Sequence, residues 1–164
     1  MNIKLSKARL EDAGILHDMQ VKSFMALLER YQDFDISPAN ESLEKVEFRI
    51  SQSATDYYII FNDGKPVGGI RIVKMERKRY RVSPIFILPE YQGNGIAQEV
   101  FRMIEKMYSD AKIWELDTIL QEKGNCYLYE KIGYTQTGKM KPINDKMTIV
   151  SYEKEMSYSG SVPV

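Results

Sequence analysis

The sequence predicts a single α+β domain, a mixed and largely antiparallel sheet of about six or seven strands flanked by about four helices. Three observations carry this expectation. Tyr57-Tyr58-Ile59-Ile60-Phe61 is aromatic and β-branched and runs into Asn62-Asp63-Gly64-Lys65, the signature of a hairpin turn. Ile96, Val100, Ile104, Met107 and Tyr108 recur at helical spacing, with Gln98, Glu99, Arg102, Glu105 and Lys106 on the other face. The 164 residues are 43% hydrophobic with no Pro/Gly/Ser-rich spacer, enough for one packed core and too few for two.

Residues 3 to 10 alternate as a strand does, and Asp12 is expected to cap a helix in which Ile15, Met19, Phe24, Leu27 and Leu28 follow the helical period. Ser37-Pro38 reads as the start of a second helix, continued by Leu43, Val46, Phe48 and Ile50. After the hairpin, residues 67 to 75 form the return strand. The basic run Lys74-Met75-Glu76-Arg77-Lys78-Arg79-Tyr80-Arg81 reads as a solvated hairpin tip. Residues 80 to 88 then form a third strand entering Pro89-Glu90-Tyr91-Gln92-Gly93-Asn94-Gly95. Beyond the clear helix come a short strand around Trp114 (112 to 118), a short helix (122 to 131) and two closing strands (133 to 140 and 146 to 156). The domain is expected over residues 1–156, with 157–164 as a loose tail.

Composition excludes several classes of function. Lys+Arg and Asp+Glu both number 23, so no global field favours nucleic acid or an anionic membrane. No apolar run approaches the length of a membrane span, and the N-terminus lacks a signal-peptide core, so a cytoplasmic protein is expected. A single cysteine, Cys126, and a single histidine, His17, leave no disulfide framework and no Cys/His metal site. A Cys126/His17 nucleophile pair would need the first and fourth helices brought together, and no Gly-x-Ser-x-Gly elbow is present.

The loop Gln92-Gly93-Asn94-Gly95-Ile96-Ala97 follows a strand and opens a helix. Missing Cβ atoms let the main chain approach phosphate oxygens, and the first N–H groups of the helix lack intrahelical partners. A dinucleotide site is a competing reading of Gly93-x-Gly95, with Asp117 about 20 residues downstream. Gln98 at the third glycine position, the intervening Pro89 to Gln92 and the upstream hairpins argue against it. Gly64-Lys65 is followed by Pro66, which fails as a Walker loop.

The same loop resembles the Gln/Arg-x-x-Gly-x-Gly/Ala signature of the GNAT superfamily of N-acetyltransferases at Gln92, Gly95 and Ala97, preceded by Pro89-Glu90-Tyr91. Asn125-Cys126-Tyr127-Leu128-Tyr129-Glu130-Lys131-Ile132-Gly133-Tyr134 resembles the family's Leu-Tyr-x-x-x-Gly-Phe/Tyr segment, so the likeness covers residues 80 to 135, about a third of the chain. Glu122 stands where the family commonly has asparagine, with Asn125 closer to the tyrosine.

The resemblance implies an acyl-CoA N-acyltransferase fold and transfer of acetyl from acetyl-CoA to a primary amine of a small molecule or peptide, by direct attack in a ternary complex. It implies CoA binding by Gln92, Gly93, Asn94, Gly95, Ile96, Ala97, Asn125 and Tyr129, and by freed main-chain N–H groups at a bulge over Phe86, Ile87 and Leu88. Tyr129 matches the family's general acid. The strand before the loop carries no carboxylate, leaving Glu115, Asp117 or Glu76 as possible bases. Phe24, Leu28 and Tyr31, with Phe34 and Asp35, are the candidate acceptor surface. The assembly is read as a monomer or homodimer. The rival reading is a CoA-binding sensor or partner module without catalysis.

Overall fold

The β-branched and aromatic segments pair as their turn chemistry dictates. In the computed structural model, which describes residues 1–157, β2 (Thr55–Asn62) and β3 (Lys65–Lys74) form an antiparallel hairpin. Its two-residue turn puts Asp63 at φ 51° and Gly64 at φ 82°, the primed geometry that Asp-Gly favours. β1 (Ile3–Lys7) joins the β2 edge, and β4 (Arg79–Ile87) returns along β3. β5 (Ile113–Ile119), β6 (Thr135–Pro142) and β7 (Thr148–Glu155) complete a seven-stranded sheet of order β1-β2-β3-β4-β5-β7-β6.

Helices cover both faces. α1 (Ala13–Tyr31) and α2 (Leu43–Ser51) enclose one core, in which Leu16, Met19 and Val46 meet Tyr57, Ile59 and Phe86. α3 (Ile96–Met107) and α4 (Lys123–Lys131) enclose the larger one, in which Val100, Phe101, Ile104, Cys126 and Tyr129 meet Trp114, Leu116, Val150 and Tyr152. Alternation along each strand feeds the two cores: Tyr57 and Ile59 face α1 and α2, whereas Ile60 faces α3.

Helix starts differ from the sequence expectation for local reasons. Asp12 does not cap α1 with its side chain; its carboxylate instead accepts from the Arg9 N–H (2.8 Å) across a short 3-10 turn. Ser37-Pro38 opens only a 3-10 turn, Pro38–Asn40, with Ser37 Oγ accepting from Ala39 N–H. The cap of α2 is Ser42, whose Oγ accepts from Lys45 N–H. Two serines five residues apart offered equivalent caps, and the buried Gln20 decides between them: its amide donates to the Pro38 carbonyl (2.9 Å) and to Glu41 (2.8 Å), pinning that turn to α1. The helical period also misassigned some apolar positions, since Phe48 is 63% exposed while Leu16 is fully buried.

The basic run forms the β3–β4 tip, with a 3-10 turn at Glu76–Lys78. Its flanks are paired: Lys74 with Asp56, Lys78 with Asp110, and Arg79 and Arg81 with Glu115. Apart from Ser157, the tail expected from residue 157 lies outside the described residues.

Candidate active site

The site arises where two neighbouring strands part. β4 and β5 pair in parallel only at Arg79, Tyr80 and Arg81 of β4. Beyond that point β4 stays with β3, and β5 stays with β7 along its whole length. The opening is a cleft of about 660 Å³. Phe24, Leu27 and Arg30 of α1 line it, together with Ile85 to Ile87 of β4, the glycine loop, the start of α3, Glu122, and Asn125, Leu128 and Tyr129 of α4.

The glycine loop forms from local chemistry. Pro89–Tyr91 makes a 3-10 turn, Gly93 and Gly95 take φ of 78° and 81°, and Gly95 caps α3, its carbonyl accepting from Glu99 N–H (3.1 Å). Among the described residues, the main-chain N–H groups of residues 93 to 98 have no protein acceptor. Free donors at the positive end of a helix dipole suit an anion, for which the dipole adds roughly 0.3–1 kcal/mol. Gln92 folds inward, its Nε2 donating to the Ile87 carbonyl (2.8 Å) and tying the loop to β4. Asn94 bonds the carbonyls of Tyr91 and Gln92 and does not line the cleft.

The bulge of β4 is displaced from its expected place. The register slips between Ile70, opposite Ile85, and Ile72, opposite Val82, so the extra residue lies at Ser83–Pro84 rather than over residues 86 to 88. Leu88 N–H is spent on the Val67 carbonyl (2.8 Å). Strand alternation then turns the main-chain groups of Ile85 and Ile87 toward the cleft and those of Phe86 toward β3. Phe86 contributes its ring, edge-on to Phe24 with centroids 6.1 Å apart.

Tyr129 lies in the cleft wall, its ring edge-on to Phe101 (5.7 Å) and Tyr134 (6.1 Å). Burial, and then the neighbouring Cys126, pushes its phenol up to about 12, so it holds its proton at neutral pH.

Glu115 and Asp117 stand elsewhere. They alternate with the buried Trp114 and Leu116 and project from the opposite face of β5. Glu115 bonds Arg79 (2.9 Å) and Arg81 (2.8 Å), and Asp117 bonds Arg81 and Ser151 (2.7 Å). Neither lines the cleft, and Glu115 faces a separate hollow of about 310 Å³ between β4 and β6. Glu76, at the β3–β4 tip, is equally remote from the lining.

Of the acceptor candidates, Phe24 lines the cleft; Leu28 is buried, and its neighbour Leu27 takes the lining position. Tyr31 is buried with Ile119 and Met147, and its hydroxyl donates to Glu122. Phe34 is 60% exposed and outside the cleft. The sequence reading missed Arg30, Leu27 and Lys131 in the lining, and saw Glu122 only as an unusual residue at the asparagine position. Arg30 Nη1 donates to Glu122 Oε2 at 2.7 Å. No group of three or more His, Cys, Asp or Glu is placed to hold a metal ion among the described residues.

This architecture, a mixed sheet that splits between β4 and β5 beside a glycine loop and helix, is the acyl-CoA N-acyltransferase fold. The family described as acetyltransferase (GNAT) domain matches residues 13–156. The chain belongs to the GNAT acetyltransferase family. It is 29% identical over 112 residues to the uncharacterized protein YrkN of Bacillus subtilis strain 168, a match of 67% of this chain and 60% of that protein. It resembles the PaiA N-acetyltransferase of Thermoplasma acidophilum in complex with coenzyme A (TM-score 0.76, 19% identity, 95% of this chain and 100% of that one). It also resembles a spermidine N-acetyltransferase SpeG chimera from Vibrio cholerae and hSSAT (TM-score 0.75, 17% identity, 94% and 96%).

Proposed function

We propose that the chain transfers an acetyl group from acetyl-CoA to a primary amine of a small molecule or peptide, by direct attack within a ternary complex. The observation that carries this reading is that Gly93, Gly95, Ile96, Ala97 and Gln98, whose main-chain N–H groups have no protein acceptor among the described residues, line the same cleft as Tyr129. CoA fits the residues present: its pyrophosphate would be held by that loop, and its thioester arm would lie along the Ile85 and Ile87 edge. Membership of the acetyltransferase family and likeness to a fold that holds coenzyme A in PaiA support it.

The bound thioester supplies an activated acyl carbon. The chain's own contribution is to orient it, to polarise its carbonyl with main-chain donors of β4, and to protonate the departing sulfur from Tyr129. A phenol raised to about 12 keeps that proton throughout the neutral range. An alkylamine acceptor with a lysine-like pKa of about 10.4 arrives almost wholly as ammonium, so the site must also remove a proton. The reading takes the domain over residues 1–156 as the catalytic unit, at work in the cytoplasm as a monomer or homodimer.

Because Glu115 and Asp117 are held by arginines outside the cleft, a CoA-binding module without catalysis is the second reading. A panel of polyamines, amino acids and peptide N-termini, assayed for acetyl-CoA-dependent release of free thiol, separates the two. Turnover with any member supports the enzyme; saturable acetyl-CoA binding with no transfer to any member supports the module.

A further inference from the structure

We propose that Glu122 is the base that takes the acceptor's proton, a role that rests on the acyl transfer proposed above. Glu122 is the one carboxylate in the cleft lining of the described residues, and neither His17 nor Cys126 lines it. The other ionisable lining side chains are Arg30, Tyr91, Tyr129 and Lys131, none of them a carboxylate or imidazole; Arg30 is raised by its bond to Glu122 and Tyr129 by burial, so both hold their protons. Glu122 is therefore the lining side chain able to receive one.

Its position suits the task. Glu122 is the residue before α4 and Tyr129 lies seven residues on. Seven residues are close to two helical turns, so the two share one face of α4, about 10 Å apart along its axis. An acid and a base thus flank one stretch of the cleft, with Asn125 between them.

The carboxylate is held by one oxygen and open at the other. Oε2 accepts from Arg30 Nη1 at 2.7 Å and from the Tyr31 hydroxyl, both on α1. Oε1 has no protein hydrogen-bond partner among the described residues. Tyr31 stays a donor, since burial and then its bond to Glu122 push its phenol up. Arg30 is more than half exposed, so water screens its pull on the carboxylate.

In the step, Glu122 Oε1 takes one proton from the acceptor ammonium, and the freed nitrogen lone pair forms the C–N bond. The C–S bond breaks with its electron pair on sulfur, which takes the phenolic proton of Tyr129. The second proton lost from nitrogen restores Tyr129, and Glu122 releases its own to water. The first transfer is drawn forward by C–N bond formation, which consumes the freed lone pair.

The test uses Glu122→Gln, which keeps shape and polarity, and Glu122→Asp, which keeps a carboxylate on a shorter arm. Acetyl-CoA affinity is measured by calorimetry, and turnover is measured with the alkylamine that the wild-type protein uses and with hydroxylamine, which is mostly neutral at the assay pH. Unchanged acetyl-CoA affinity is expected for both variants. Alkylamine turnover should fall by about 10²–10⁴-fold in Glu122→Gln and less in Glu122→Asp, while hydroxylamine turnover changes little. Wild-type alkylamine turnover in Glu122→Gln, equal losses on both acceptors, or loss of acetyl-CoA binding confined to the variants would each overturn the role of Glu122. Failure of the wild-type protein itself to bind acetyl-CoA would overturn the acyl transfer on which that role rests.

Discussion

Gly93 and Gly95 meet no protein atom within 4 Å of where a Cβ would stand, yet both hold a positive φ that side chains rarely adopt. Their cost of substitution is therefore conformational, roughly 1–3 kcal/mol, added to obstruction of the space over the loop. Tyr129 is a different case, because its ring belongs to an aromatic cluster and the proposed acid role needs only its hydroxyl. Tyr129→Phe keeps the ring, so acetyl-CoA affinity should hold while kcat falls about 10²-fold or more. Unchanged kcat would reduce Tyr129 to packing. With its phenol near 12, turnover should show no alkaline loss traceable to Tyr129 below about pH 10. The loop glycines were legible in the sequence because a glycine before a helix is a local signal. That the candidate bases Glu115, Asp117 and Glu76 all stand outside the cleft was not. It depends on which face of β5 a carboxylate leaves and on arginines 34 to 36 residues away, Arg79 and Arg81 with Glu115 and Arg81 with Asp117, partners no local window contains.

Among the elements, β4 carries the most constraint, since it pairs with β3 on one side and opens the cleft on the other. Its end is set by a close approach: a Cβ on Gly68 would stand 2.1 Å from the Phe86 carbonyl oxygen. Backbone cannot yield as a side-chain tip can, so Gly68→Ala should cost roughly 1–3 kcal/mol or more, read as a lower denaturant midpoint. A midpoint equal to wild type would show that β4 is free to shift. Strand existence and order were legible from alternation and from the Asp63-Gly64 turn. The bulge was not, because its place at Ser83–Pro84 emerges only from the register of two strands, which the opposing Arg71 helps to fix by donating to the Ser83 carbonyl (2.6 Å). The cap of α2 was misplaced for a similar reason, Gln20 being a tertiary partner of that turn.

For the molecule as a whole, two helix layers bury opposite faces of one sheet, and the larger core is rich in tyrosine. Burial is the first cause that raises the phenols of Tyr57, Tyr129 and Tyr134. Unfolded tyrosines ionise near pH 10, whereas these stay protonated in the fold. Above that pH the folded state binds more protons than the unfolded one, and stability falls as pH rises. The urea midpoint should hold between about pH 7 and 9 as far as these groups decide it, and drop above about pH 10. A midpoint that stays level to pH 11 would contradict their burial. The split between β4 and β5 is also a property of the whole, since beyond Arg81 β4 continues along β3 while β5 continues along β7.

The central claim is that the Gly93 to Gln98 segment holds the pyrophosphate of acetyl-CoA. Calorimetric titration of the wild-type protein and of Gly95→Val with acetyl-CoA, alongside NAD, tests it most directly. Saturable binding of acetyl-CoA and not NAD by the wild type, weakened in Gly95→Val, is the predicted result; equal affinity in both proteins, or binding of NAD alone, would contradict it.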